Sequence, residues 1–270
     1  LTKNVMSHTS AKRAWNKFPH ADKSFVYAGA ALKKNWERLH RGDREPFPVD
    51  SAVQEAWRLY HQGEFQAACE AGLAAGLDGY TAANKAAMIY ATYLEDNDRR
   101  KLELFEAISA RSDELQRAQP KNVNGHYFQA YALGRYSQGI SVLKALTDGL
   151  GGRIKSALEA TLRLDPKHAE AHVALGAYHA EVVDKMGAMV ARLTYGASRE
   201  VAIKHFDTAL KLVPDSAIAR IEYANALVLL FGDKRMDDAV DLYEKAAAAT
   251  PVEAMEKLDV ELAKAELEEE

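Results

Sequence analysis

The hydrophobic pattern of this chain predicts α-helices along its whole length. Apolar residues recur at intervals of three and four, as on one face of a helix, and hardly anywhere at the interval of two that marks a strand. Alanine, the strongest helix former, is abundant, while the 270 residues include only 7 prolines and 16 glycines. We therefore expect an all-α fold with roughly twelve to fourteen helices.

Prolines divide this pattern into helix pairs. In RLDPKHAEAHVALG (163–176) one helix ends at the proline, and the residues after it can cap and begin the next helix. The same punctuation occurs at Pro120, Pro214 and Pro251, and the four prolines in chain order stand 46, 48 and 37 residues apart. Spacing of this kind indicates an internal repeat.

The helix pairs resemble tetratricopeptide (TPR) repeats, whose pattern is W-x2-L-G-x2-Y, then A-x3-F, then P, within 34 residues. An early unit shows only the turn and second helix of such a repeat, at residues 63–68. The resemblance implies a right-handed α-α superhelix, with small residues such as Gly176 where two helices cross and Phe206 between repeats. Two later units carry most of the pattern: His172, Leu175, Gly176, His179, Ala202, Phe206, Ala209 and Pro214, and then Arg220, Tyr223, Ala224, Leu227, Ala239, Tyr243, Ala246 and Pro251.

Two units are longer than a plain TPR repeat, with extra residues within 136–152 and 182–198. Each insertion shows a helix extension, a glycine and a short apolar helix, at 140–146 and 189–193. Elongated repeats of this kind are similar to the T-component lipoproteins of tripartite periplasmic (TRAP) transporters and to the mitochondrial regulators of microtubule dynamics. The resemblance covers residues 120–267, and the lipoprotein cysteine of the transporter components has no counterpart near the start of the chain.

These patterns divide the chain into five parts. Terminal repeats of a stack need caps, because each would otherwise leave a bare apolar face. We expect an N-terminal tail (1–21), a capping helix and link (22–50), degenerate helical repeats (51–119), elongated TPR-like repeats (120–251), and a C-terminal capping helix with an acidic tail (252–270).

Composition excludes several classes of function. The net charge of −4 gives no strong basic field for nucleic acid, and no apolar run is long enough to span a membrane. The single cysteine, Cys69, allows neither an intrachain disulfide nor a cysteine-built zinc site. If Met6 is the natural start, the protein is expected in the cytoplasm; if Leu1 follows a removed segment, a periplasmic location is open.

The first helices of a repeat stack line its concave face, where ligands usually lie. On one of them Tyr127, Tyr131 and Arg135 share a face through i,i+4 spacing. Aromatic walls with a few hydrogen-bond donors suit a peptide, although Tyr127 and Tyr131 could instead be core between repeats. The same face of the later helices is expected to hold Val173, Ala177, Glu181, Ile221 and Asn225, with Arg220 beside it.

A second candidate set lies where one helix runs into its insertion. His179, Glu181 and Asp184 could contact a ligand, or could form a hydrogen-bond network that orients the insertion. No nucleophile is placed beside them, so we expect no catalytic site. His168-x3-His172 has the spacing of a metal pair but lacks the glutamate of the metalloprotease motif, so we expect no metal site.

The sequence therefore favours a non-enzymatic scaffold that binds a protein or peptide segment in its concave groove, without a cofactor. The alternative is an accessory protein that handles a small molecule or solute, with the two insertions closing the groove into a pocket. An open groove favours the peptide, and a roofed groove favours the small ligand.

Overall fold

The computed structural model describes residues 14–269. Within that range every regular element is a helix, so the predicted all-α class is confirmed. Leu1, Met6 and the rest of residues 1–13 from the predicted tail lie outside the described part, as does Glu270. The α-helices are α1 (Ala30–Leu39), α2 (Ser51–His61), α3 (Phe65–Ala74), α4 (Tyr80–Tyr93), α5 (Asp98–Ala118), α6 (Val123–Ile140), α7 (Val142–Thr147), α8 (Leu150–Leu164), α9 (Ala169–Met186), α10 (Ala188–Val190), α11 (Arg199–Leu212), α12 (Ala217–Phe231), α13 (Met236–Ala247) and α14 (Ala254–Glu269).

The helices pack as consecutive antiparallel pairs, which are α2 with α3, α4 with α5, α6 with α8, α9 with α11, and α12 with α13. The first helices of the pairs also pack against one another in chain order, and α14 follows α12 in that series. We call α2, α4, α6, α9, α12 and α14 the inner helices. Because α14 also contacts α2, the series of inner helices returns to its beginning and surrounds a central space. None of the helices in the described range has the length and apolarity needed to cross a bilayer.

Capping side chains explain why a proline stands shortly before the first helix of these repeats. Asn122, His168 and Ser216 stand two residues after Pro120, Pro166 and Pro214, and each accepts a hydrogen bond from the backbone N–H three residues further on. Such a cap satisfies one of the free donors at a helix start and stabilises the helix by about 1 kcal/mol. His168 is thus a capping residue, and its Nε2 also lies 3.0 Å from Asn124 Oδ1.

The predicted crossing of α9 with α11 is present. A Cβ atom added to Gly176 would lie 2.8 Å from Phe206 Cε2, and Phe206 is fully buried. The ring of Phe206 in turn stacks on Tyr223 of α12, with a centroid separation of 4.9 Å. Gly176 therefore lets two helices of one repeat approach closely while Phe206 joins that repeat to the next.

Both predicted insertions form helical extensions. The first leaves α6 at Ser141, whose φ of 134° turns the chain sharply into α7, rather than at Gly139. Gly139 remains within α6, and its lack of a side chain leaves room for Leu102, whose Cδ2 would lie 2.7 Å from a Cβ atom added there. The second insertion continues from α9 through α10 and a π-turn at Ala191–Tyr195.

Residues 22–50 contain one short α-helix followed by a link. Only Ala30–Leu39 forms an α-helix, with a 3₁₀ turn at Lys23–Phe25 before it. Residues 40–45, which we call the inner loop, lie against the N-terminal ends of α4, α6 and α9. The Gly42 carbonyl accepts from the Glu170 backbone N–H at 3.1 Å, and the Asp43 carbonyl accepts from Asn124 Nδ2 at 3.1 Å. The inner loop therefore occupies part of the concave groove in which we expected a partner to bind.

Candidate functional site

The inner helices enclose a central cavity of about 180 Å³. This exceeds the roughly 150 Å³ of an engineered apolar cavity that binds benzene. Arg38–Gly42 closes the side of the cavity formed by the N-terminal ends of the inner helices, and α7 and α8 contribute to its wall. Its apolar lining comes mainly from Met88, Ile89, Val142, Leu146, Ile154, Leu158, Val173, Ala177 and Val182.

A chain of hydrogen bonds runs along the polar side of the cavity. Tyr93 donates its hydroxyl to Asp259 Oδ1 on α14, and the hydroxyls of Tyr131 and Thr92 lie 2.9 Å apart. Arg135 Nε donates to the Tyr131 hydroxyl at 3.2 Å, and its guanidinium lies 5.2 Å from the ring centroid of that residue. These contacts fix the phenol rings and the guanidinium in one orientation toward the cavity.

The same chain continues from Arg135 to two acidic residues. Arg135 Nη2 donates to Glu222 Oε1 at 3.0 Å, and Arg135 Nη1 donates to Gln138 Oε1 at 3.2 Å. Gln138 Nε2 then donates to Glu181 Oε1. The hydrogen bonds that begin at Thr92 therefore join α4, α6, α9 and α12 around one cavity, and the separate bond from Tyr93 to Asp259 joins α4 to α14.

Acidic groups outnumber basic groups in the cavity wall. The lining cations Arg38, Arg41 and Arg135 are each paired with a carboxylate, on Glu256, Asp215 and Glu222. Three further lining carboxyls, those of Glu181, Glu253 and Asp259, have only the neutral side-chain partners Gln138, His61 and Tyr93 among the described residues.

Burial acts strongly on these three acids. It raises the pKa of Asp259 to about 8, and it raises the pKa of Glu181 above its ordinary value. Burial also raises the pKa of Glu253 well above its usual range and lowers the pKa of His61 to about 3, so burial favours the neutral form of each group. The charged forms of Glu181 and Asp259 are therefore disfavoured in the empty cavity.

Tyr178 adds an unused polar group to the cavity wall. Its side chain is 8% exposed, and its hydroxyl has no hydrogen-bond partner among the described residues. The hydroxyl lies 3.8 Å from the position that a Cβ atom on Gly151, another wall residue, would take. Burial raises the pKa of Tyr178 to about 12, so the hydroxyl keeps its proton and can donate or accept a hydrogen bond.

Half of the predicted site residues meet in this cavity. Tyr127, Tyr131, Arg135 and Glu181 all line it. Tyr127 is nevertheless largely packed away, since it is 3% exposed and its ring lies 4.7 Å from that of His168. Both alternatives for the tyrosines thus hold in part, because Tyr127 is core and Tyr131 presents its hydroxyl to the hydrogen-bond chain.

The other four predicted residues lie outside the cavity. His179 is buried and faces α11, where its ring stacks on His205 at 5.9 Å. Asp184 is exposed and pairs with Lys185. Arg220 donates to the carbonyl of Pro214 in its own helix start, and exposed Asn225 accepts from Tyr243 at 2.6 Å. Asn225 does not line this cavity, whereas Glu222, three residues earlier on α12, does.

Buried charges hold the inner loop beside the cavity. Lys85 Nζ lies 2.6 Å from Glu170 Oε1 and 3.2 Å from Asp43 Oδ2, and Asp43 also contacts His40 Nδ1 at 2.9 Å. Glu45 accepts from Thr81 and Asn124, while burial raises its pKa to about 7. Among the described residues, no group of three or more histidine, cysteine, aspartate or glutamate side chains has an arrangement that could hold a metal ion.

Sequence reasoning missed the acidic contribution of α14. Glu253, Glu256 and Asp259 recur at the i,i+3 spacing of one helix face, which is a visible signal. A face that mixes acids with Leu258 and Leu262 is typical of an ordinary solvated cap, and only the return of α14 to α2 and α4 places the acids inside.

The two insertions differ in their relation to the cavity. The first contributes Val142, Ala145 and Leu146 of α7 to the wall. The apolar residues of the second point elsewhere, since Met189 is 76% exposed and Leu193 is 80% exposed. Only the first insertion therefore closes the groove.

Comparison with known proteins supports the fold. No protein-family profile matches the chain, and no curated protein is significantly similar in sequence. Among solved structures, the chain is similar to TTC0263, a thermophilic TPR protein of Thermus thermophilus, with 18% identity and a TM-score of 0.54. The match covers 79% of this chain and 97% of that chain. Similarity to the TRAP-transporter and microtubule-regulator families stays a prediction. Together with the capped helix pairs, the structural match shows that this chain has a TPR-like helical-repeat fold.

Proposed function

We propose that this protein is a non-enzymatic interaction scaffold that binds a short segment of a protein partner, with one side chain or chain end seated in the central cavity. The TPR-like fold supports a role in protein interaction in general. The cavity supports the finer statement, because it lies on the concave side of the inner helices and combines an apolar lining with fixed polar groups.

The observation that carries this proposal is the placement of Tyr131, Arg135 and Glu181 in one cavity wall. Arg135 is held by Tyr131 and Glu222, so its geometry is set before a ligand arrives. Preorganised polar groups lower the cost of ordering side chains on binding. The inner loop fills the neighbouring part of the groove, so the cavity accommodates a side chain or a chain end rather than a long extended peptide.

A cavity-filling substitution tests the proposal. Gly134 lies on α6 in the cavity wall, and a side chain added there meets nothing within 4 Å. Gly134→Leu should therefore fill the cavity without disturbing the helix. Gly152→Leu is the matched control, because Gly152 is also helical, also has open space around it and does not line the cavity.

The measurement is selection of peptides against the wild-type protein from a random library displayed on phage. We expect the enriched peptides to bind Gly152→Leu as they bind wild type and to lose binding to Gly134→Leu. Peptides that bind all three proteins equally would contradict a cavity-centred site.

A second candidate function is binding of a small molecule, and one observation favours it. The inner loop and α7 both contribute to the wall of a cavity of about 180 Å³, a volume that suits a ligand of small size. Under this candidate, a thermal-shift screen of small organic compounds finds ligands that stabilise wild type and Gly152→Leu but not Gly134→Leu, while no cavity-dependent peptide is selected.

A further inference from the structure

We propose that the central cavity selects a ligand that carries an ammonium group on an apolar stem. The carboxylate of Glu181 and the hydroxyl of Tyr178 would receive the ammonium group, and the aliphatic lining would receive the stem. The ligand is either a small organic amine or a lysine side chain of a partner segment. This inference rests on the proposed function, because it names the chemistry that the same cavity recognises.

The charge of the wall is the first argument. Every lining cation already has a carboxylate partner, whereas Glu181, Glu253 and Asp259 have neutral ones. Glu253 is committed to His61 at the end of α2, and Asp259 to Tyr93 of α4. Within the described range Glu181 accepts a side-chain hydrogen bond only from Gln138, and the nearby charges of Arg135 and Lys185 form no ion pair with it, so a ligand cation would supply a direct counter-charge there. An anionic ligand would meet the Glu181 carboxylate, and the described wall offers it no unpaired cation.

Tyr178 is the second and independent argument. It lies on α9, three residues before Glu181, so the two side chains share one helix face, and both line the cavity. A buried hydroxyl without a partner costs free energy that a ligand donor would recover. An ammonium group has three donors, which fits one carboxylate and one hydroxyl with a donor left for a further acceptor.

The remaining wall limits the rest of the ligand. Leu146, Ile154 and Val173 offer only apolar surface beside these two polar groups. The volume of about 180 Å³ accommodates a benzene-sized body with a short chain. The cavity therefore suits an amphipathic cation.

Isothermal titration with three probes of matched shape tests the charge. The probes are 2-phenylethylammonium, neutral 2-phenylethanol and anionic 3-phenylpropionate. We expect the ammonium to bind at least about tenfold more tightly than either other probe. A capped pentapeptide with a central lysine and its norleucine counterpart form a further pair. Tighter binding of the lysine peptide than of 2-phenylethylammonium identifies a protein segment as the source, and the reverse order identifies a free amine.

Variants show whether the probe occupies the proposed place. Gly134→Leu should abolish ammonium binding, and Glu181→Gln should weaken it about tenfold, while Gly152→Leu and exposed-site Glu103→Gln leave it unchanged. Tyr178→Phe should weaken binding several-fold and yet raise the melting temperature of the free protein, because it removes the unpartnered hydroxyl. Loss of binding through unfolding would instead lower the melting temperature.

Several outcomes overturn the inference. They are equal or tighter binding of 2-phenylethanol or 3-phenylpropionate, full binding of the ammonium to Gly134→Leu, and no binding of any probe at about 10 mM. If a neutral or anionic probe binds wild type but not Gly134→Leu, the cavity remains the site and only its proposed preference for a cation falls. If neither probes nor selected peptides depend on Gly134, the proposed function falls as well.

Discussion

Lys85 Nζ donates a 2.6 Å hydrogen bond to Glu170 Oε1, although the two residues are 85 positions apart. The same ammonium group lies 3.2 Å from Asp43 on the inner loop, and Lys85 is 2% exposed. Burial alone would lower the pKa of Lys85, but the carboxylates of Glu170 and Asp43 outweigh it and hold that pKa above its ordinary value. One buried cation thus ties α4 and α9 to the segment that partly fills the groove.

Replacing this cation should destabilise the whole protein. Lys85→Met leaves two buried carboxylates without their counter-charge, and we expect a loss of about 3–5 kcal/mol in the free energy of unfolding. Urea denaturation followed by circular dichroism measures it. Lys245→Met, which breaks an exposed pair with Asp241, should change stability by no more than about 0.5 kcal/mol. A similar small effect of both substitutions would show that the buried triad does not hold the fold.

The inner loop should resist proteolysis in the native protein. Trypsin cleaves after arginine, yet the backbone around Arg41 and Arg44 is held by the bond from Glu170 N–H to Gly42 and by buried Asp43. We expect Asp43→Ala to speed cleavage at these arginines about tenfold while the protein remains helical, because local opening then costs less. Cleavage after exposed Arg99 serves as the internal control. Rapid cleavage of the wild-type inner loop would contradict its placement in the groove.

The close approach of α9 and α11 gives a packing prediction. Gly176→Leu would push a side chain into the ring of Phe206, and we expect a loss of about 2 kcal/mol or more. The melting temperature relative to Gly152→Leu, where the added side chain has open space, measures the effect. An unchanged melting temperature would contradict the repeat alignment that places Gly176 against Phe206.

Asp259 should make the folded protein less stable as the pH rises. Its pKa is raised from 3.8 to about 8 by burial, so between these values the folded state holds a proton that the unfolded state has released. This contribution to stability is fully present below about pH 3.8 and is lost progressively as the pH rises to about 8. We expect the free energy of unfolding to fall between about pH 4 and 8, and Asp259→Asn to reduce that slope by at most about 1.4 kcal/mol per pH unit. Identical slopes in wild type and variant would contradict the buried, protonated carboxyl.

Local features of this fold follow from the sequence. The prolines locate the helix starts because each stands two residues before a capping side chain, as Pro166 does before His168. The small residue at Gly176 predicts a helix crossing, and the interval of 48 residues predicts the elongated units. These features depend on neighbours within one repeat, so a single sequence carries them.

Features that depend on the closure of the stack do not follow from the sequence. The pattern of residues 40–45 is typical of a charged turn, and nothing local indicates that Asp43 pairs with Lys85. Likewise, the register by which Glu222 rather than Asn225 faces the cavity depends on the accumulated twist of the inner helices. The placement of Tyr131, Arg135 and Glu181 in the cavity wall was predictable, because helical spacing within α6 and α9 puts each of them on the inner face.

The central claim is that the cavity between the inner helices holds a ligand. Native mass spectrometry of wild type, Gly134→Leu and Gly152→Leu, each purified gently from the protein's own source, tests it most directly. We expect a bound peptide or small amine on wild type and Gly152→Leu, and its absence from Gly134→Leu. The same bound mass on all three proteins, or none on any of them, would contradict the claim.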